Sequence, residues 1–155
     1  MGSAAPPHPG AIMNIWDIRH LQSARQISSY SKDPTSKVGA VIARNKLEVS
    51  RGWNGFPSLI PDKQEYLNNR EEKWKRMLHA EVHAILQAKG DTQSTTIYTF
   101  PFFPCPRCVP LIHAAYIGRV VSVDIPREWD DESIALLKEG AVSIKRIPIG
   151  MLDED

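Results

Sequence analysis

Apolar residues recur every three positions from Asn14 to about Tyr30, at Ile15, Ile18, Leu21, Ala24 and Ile27. This spacing predicts an amphipathic first helix that packs on a sheet, with Asn14 placed to cap it. Ser31-Lys32-Asp33-Pro34-Thr35 carries turn chemistry, and Val38 to Ala43 is a short apolar run with β-branched residues, suited to a buried strand. Arg44-Asn45-Lys46 then turns the chain. Leu47 to Trp53 reads as the hairpin partner, ending in Gly52-Trp53-Asn54-Gly55, where two glycines permit an unusual backbone path. Between Phe56 and Leu78 the pattern fails: Pro57 and Pro61 interrupt it, a charged helical tract follows, and the segment reads as a surface insertion. Periodicity returns with a helix from His79 to about Lys89, stopped by Gly90, and a strand from Thr95 to Phe100. A helix with Pro106 in its first turn runs toward Gly118, and Val120 to Ile125 is a fourth strand. A last helix opens at Asp131 or Glu132 and stops at Gly140, and Val142 to Ile147 is a fifth strand. A hairpin followed by alternating helix and strand implies an α/β fold, a three-layer α/β/α sandwich around a five-stranded mixed sheet.

Composition narrows this picture. The 155 residues amount to one domain, expected over 13–155, after a leader over 1–12 (MGSAAPPHPGAI) that reads as expression-derived. With 19 basic and 18 acidic residues the net charge is +1, which offers no global field for a nucleic acid polymer or an anionic membrane. A small substrate fits better. No apolar run reaches the 18 residues of a membrane span. The two cysteines, Cys105 and Cys108, suit a metal site or a redox pair in a reducing compartment, so a cytoplasmic location is expected.

The chemistry gathers in two stretches, His79-Ala80-Glu81 and Pro104-Cys105-Pro106-Arg107-Cys108. A Cys-x-x-Cys at the start of a helix can bring two thiolates to one metal, and His79 can supply a third ligand. Three protein ligands leave a position for water, the arrangement of a catalytic zinc site. Zinc so held lowers the pKa of its water from about 15.7 to about 7, and Glu81, two residues after His79, is placed to move protons as general acid and base. Arg107, inside the Cys-x-x-Cys loop, can reach a phosphate or a neighbouring subunit, or stand as a plain surface side chain. Other readings of the same residues are a thiol redox pair, which leaves His79-Ala80-Glu81 unexplained, and a structural zinc completed by His83.

His-x-Glu followed by Pro-Cys-x-x-Cys resembles the signature of zinc-dependent nucleobase deaminases. Taken with Ser31-Lys32-Asp33-Pro34-Thr35-Ser36-Lys37-Val38-Gly39-Ala40-Val41-Ile42 and Gly52-Trp53-Asn54-Gly55-Phe56-Pro57, the chain resembles the deoxycytidylate (dCMP) deaminases from about residue 14 to 147. The resemblance implies a cytidine deaminase-like fold and hydrolysis of dCMP to dUMP and ammonia, supplying thymidylate synthesis. It implies Zn2+ on His79, Cys105 and Cys108, Glu81 as the catalytic residue, Asn54 at the sugar, and Ser31, Lys32 and Asp33 near the phosphate, with Ala80 in the substrate-binding set. The Ser31 to Thr35 stretch also reads as an ordinary turn. Many relatives are homo-oligomers, often hexamers, with dCTP and dTTP as effectors; nothing in the 56–78 segment marks an effector pocket.

Two departures stand out. His83 occupies a position where relatives usually carry asparagine, and Ser58 to Lys75 lacks the cysteines and histidine of a second zinc, so one zinc per chain is expected. A tRNA adenosine deaminase or a polynucleotide cytidine deaminase would share the zinc motif but wants basic grooves and stacking platforms. A cytidine, cytosine or guanine deaminase differs by only a few side chains. A non-catalytic nucleotide sensor would have no need of Glu81.

Overall fold

The computed structural model describes residues 14–153; the expected leader over 1–12, with Met13 and the last two residues, lies outside them. Helix α1 spans Ile15–Ser28, and the Asn14 side chain accepts hydrogen bonds from Trp16 N at 2.9 Å and Asp17 N at 3.0 Å. This closes the helix start as its sequence implies. Strands β1 (Gly39–Arg44) and β2 (Leu47–Trp53) form the antiparallel hairpin, with a register shift between Ile42 and Ala43. Strands β3 (Thr96–Phe100), β4 (Arg119–Val123) and β5 (Ser143–Ile147) complete a sheet of order β2-β1-β3-β4-β5, in which β3 runs antiparallel to β1 while β4 and β5 run parallel to β3. The expected five-stranded mixed sheet is therefore what the chain forms.

Alternation along β1 divides the core. Ala40 and Ile42 join Ala84, Ile97, Ile112 and Leu137 beneath helices α4 (Ala80–Gln87), α5 (Val109–Ala114) and α6 (Asp130–Glu139). Val41 and Ala43 face the other way, onto Leu21, Ala24 and Ile27 of α1 and Leu152 of the closing 3-10 turn, Ile149–Asp153. These are the three layers.

The segment after β2 folds into two short helices, α2 (Gln64–Leu67) and α3 (Arg70–Arg76), in place of one charged tract. Its ends meet where Gly55 and Leu78 exchange backbone bonds, N to O at 3.1 and 2.8 Å. Neither glycine of Gly52-Trp53-Asn54-Gly55, where an unusual backbone path was expected, adopts a left-handed backbone. Gly52 is needed for a different reason: a Cβ there would sit 2.4 Å from Ala84 N and 2.6 Å from Ala80 O, so the missing side chain lets α4 lie directly on β2.

A buried ion pair, unread in the sequence, ties α1 to the sheet. Arg119 donates to both carboxylate oxygens of Asp17, at 2.8 and 2.7 Å, and the Tyr98 hydroxyl donates to Asp17 at 2.8 Å. Burial and that carboxylate push the Tyr98 phenol up. His20 is buried beside it, its Nε2 lying 2.9 Å from Asn45 O.

Candidate active site

Where β3 ends, the chain enters a turn that carries both cysteines, and where α4 begins, His79 stands as the residue before the helix. The Cys-x-x-Cys is not the first turn of a helix, as its sequence implied. Cys108 N donates to Cys105 O at 3.0 Å to close a tight turn, α5 starts only at Val109, and Pro110, in place of Pro106, occupies its first turn. The turn still folds the two sulfurs onto one point, 3.7 Å apart, with His79 Nδ1 at 3.6 Å from the Cys105 sulfur and 3.3 Å from the Cys108 sulfur.

These distances test the site for zinc. Bonds of about 2.3 Å to sulfur and about 2.0 Å to nitrogen, at tetrahedral angles, set two sulfurs about 3.8 Å apart and each about 3.5 Å from the nitrogen. All three observed separations agree to within about 0.2 Å, the tolerance of a real site. His79, Cys105 and Cys108 form the one such cluster among the described residues. Hydrogen bonds from Cys108 and His79 push the Cys105 thiol down to about 4, toward the thiolate that a metal ligand requires, while the bond to Cys105 raises His79. The same neighbour, together with burial, pushes the Cys108 thiol up. His83 takes no part. Its Nδ1 lies 3.1 Å from both the N and the O of Trp53, against which its ring packs edge-on.

Glu81 lies in the first turn of α4, 5% exposed, and burial pushes its carboxyl up. It opens, with His79, Ala80 and Cys105, on a cavity of about 940 Å³. Arg107 and Asn54 also line it. Asn54 is fixed by the protein on both sides of its carboxamide: Oδ1 accepts from Val38 N at 2.8 Å, and Nδ2 donates to Ser36 O at 2.8 Å.

The Ser31 to Asp33 stretch divides. Asp33 lines the cavity but is buried and occupied: its Oδ1 accepts from Thr35 N at 2.8 Å, Ser36 N at 3.3 Å and Lys73 Nζ at 3.0 Å. The turn amides that could have met a phosphate are thus taken by Asp33. Ser31 is buried, its hydroxyl accepting from Asp33 N, and Lys32 points to Asp62 at 3.0 Å. Neither lines the cavity.

The segment expected as a surface insertion is instead a wall of this cavity. Leu67, Arg70, Lys73, Trp74 and Met77 all line it, and Lys73, which looked like one more solvated charge, is buried against Asp33. The loop after β4 also contributes Arg127 and Trp129 to the lining, with Phe102 against both. One signal for this wall was available, its position immediately before His79.

The family model for the cytidine and deoxycytidylate deaminase zinc-binding region matches residues 14–124. An uncharacterized deaminase from the luxG 3′ region of Aliivibrio fischeri is 34% identical over 148 residues, covering 91% of this chain and 99% of that protein. Human deoxycytidylate deaminase is 34% identical over 113 residues, 68% of this chain and 62% of the human protein, so the match spans less than two thirds of that relative. Among solved structures, the dCMP deaminase of cyanophage S-TIM5, crystallised in complex with dCMP and dUMP, superposes with a TM-score of 0.68 at 25% identity, over 83% of this chain and 94% of that one. A metal-dependent hydrolase acting on a cyclic amidine is the class that fold and site define. Within it, the chain belongs to the zinc-binding cytidine and deoxycytidylate deaminase family.

Proposed function

We propose that this enzyme hydrolyses dCMP to dUMP and ammonia. The observation that carries the reading is the convergence of a three-ligand metal cluster and a buried carboxylate on one cavity whose rim bears several arginines. His79, Cys105 and Cys108 hold the zinc ion. When bound, it lowers the pKa of a coordinated water to about 7 and so supplies a nucleophile at neutral pH.

The chain's own residues then manage protons and position. Glu81 takes a proton from the water that adds to C4 of the cytosine ring and delivers one to N3. Glu81 then takes the proton of the new C4 hydroxyl and passes it to the 4-amino nitrogen as the C4–N bond breaks, so that ammonia leaves and a C4 carbonyl remains. Asn54 and Ala80 border the sugar and base, with Asn54 held rigid by Val38 and Ser36. Asp33 acts through Asn54 and Lys73, as an organiser of this wall.

No helix of the described residues is long and apolar enough to cross a membrane. A cytoplasmic enzyme is the reading that suits its free cysteines. Self-association fits the exposed Leu47, Leu59 and Tyr116 side chains, and light scattering of the zinc-loaded protein measures it.

The deciding experiment is ammonia release by zinc-loaded protein from dCMP, deoxycytidine and CMP, each with and without dCTP or dTTP. Preference for dCMP supports the reading. Equal or better turnover of deoxycytidine moves the enzyme to the nucleoside deaminases, and no turnover of any of the three refutes a free-nucleotide substrate.

A further inference from the structure

The phosphate of a nucleotide needs a cation that the protein holds ready. Ser31 and Lys32 do not supply one, since the first is buried and the second is paired with Asp62 outside the cavity. Lys73, inside the cavity, is already committed to Asp33.

Arg127 is in a different state. Its guanidinium lies 4.0 Å from the Phe102 ring centre and 4.6 Å from that of Trp129, with the two rings edge-to-face at 84°. A planar guanidinium seated on aromatic faces keeps its N–H edge free for an anion while losing little rotamer freedom when one arrives. The seat is itself anchored: Trp129 Nε1 donates to Phe103 O at 3.1 Å, and Arg127 N donates to the buried Asp130 carboxylate at 3.0 Å. Asp130 is held in turn by Arg146 at 3.2 Å. No carboxylate among the described residues pairs with Arg127, although Glu128 lines the same cavity. Arg70, which also lines the cavity, rests on a single exposed ring, Trp74.

We infer that Arg127 is the 5′-phosphate anchor of this active site and so sets its preference for a nucleoside monophosphate over a nucleoside. The inference rests on the proposed dCMP reading and adds a residue that the cysteine and histidine motifs do not reach. The phosphate oxygens take the free guanidinium edge as a charge-assisted, two-point contact, which Lys32 in its position cannot make.

The test measures kcat/KM of zinc-loaded wild type, Arg127→Ala and Arg127→Lys on dCMP and on deoxycytidine, with direct calorimetric binding of dUMP and deoxyuridine. Loss of the ion contact lowers the dCMP-to-deoxycytidine selectivity ratio at least about tenfold in Arg127→Ala, mainly through KM. Arg127→Lys, which keeps the charge without the planar stack, recovers part of it. The dUMP affinity falls in parallel, and that of deoxyuridine does not. A purely structural role for Arg127 lowers both substrates alike together with the unfolding midpoint, and that outcome, or an unchanged ratio, overturns the inference while the dCMP reading stands. Failure of wild type to turn over dCMP refutes that reading separately, before any variant is compared.

Discussion

Replacing Gly52 by alanine tests whether the depth at which α4 rests on the sheet sets the metal geometry. A Cβ at this position meets Ala84 N at 2.4 Å, Ala80 O at 2.6 Å and His83 C at 2.9 Å, all of them backbone atoms that no rotamer change can move aside. Ordinary contact begins near 3.4 Å, so the start of α4 must retreat by about 1 Å. That end of the helix carries Glu81 and follows directly on His79. The present ligand separations fit zinc to about 0.2 Å, so a shift several times larger takes His79 off the tetrahedron. Overpacking of this kind costs about 1–3 kcal/mol of stability, and misplacing a reacting group by about 1 Å costs about 100-fold in rate. The expected outcome is a Gly52→Ala protein that folds, unfolds at lower urea, and loses zinc or about two orders of magnitude in activity. Gly55→Ala serves as the comparison: the nearest atom to its Cβ is Trp53 Cδ1 at 3.9 Å, and its stability should stay within about 0.5 kcal/mol of wild type. Zinc content by atomic absorption, urea unfolding and ammonia release read all three quantities. A Gly52→Ala enzyme with full zinc, full activity and an unchanged urea midpoint would refute the reasoning.

Glu81→Gln should keep its zinc and lose about 10²- to 10⁴-fold in kcat, since the amide fills the same space but cannot carry a proton; an active Gln variant removes Glu81 from the mechanism. Cys105→Ser should lower the zinc content measured after dialysis, and a chelator should lower the melting temperature of wild type far more than that of the variant; equal shifts would mean that Cys105 is no ligand. With free zinc at about 1,000 times its Kd, the ion contributes about 4 kcal/mol to wild-type stability, which calorimetry resolves. Lys73→Met strands Asp33 in a buried site and should cost about 3 kcal/mol in urea unfolding; if the midpoint does not move, the pair is not a structural link.

The sheet could be read from the sequence because its strands alternate or run apolar in lengths that only strands adopt, and because Asn14 announces the first helix with its own side chain. The metal cluster was readable for a related reason: thiols and imidazole at fixed spacing have few other uses. The far wall of the cavity was not. Residues 56–78 carry charges at nearly every turn, and charge on a short helix ordinarily means solvent; only the three-dimensional placement of Asp33 shows that Lys73 has an ionic partner waiting inside. Asp17 and Arg119 were hidden in the same way, 102 residues apart and each unremarkable on its own element. The turn over Ser31 to Thr35 was hard to read for the opposite reason, because a stretch rich in donors looks free until its own aspartate is seen to consume the Thr35 and Ser36 amides. Arg127 follows a strand in a loop without period, and its meaning lies in two aromatic neighbours that no spacing rule connects.

The bridge between Gly55 and Leu78 makes the intervening wall exchangeable. Its two ends are already side by side, so the entropy of closing a replacement loop changes by only about 0.6 kcal/mol for each doubling of its length. The metal ligands and Glu81 come from outside the bridged segment, on backbone that the sheet and the Gly52 contact hold in place. Grafting a different 56–77 segment, with a new cation offered to Asp33, should therefore redraw what the cavity admits while leaving the hydrolytic half intact. The fold is in this sense a two-part tool, a fixed cutting edge and a detachable jaw.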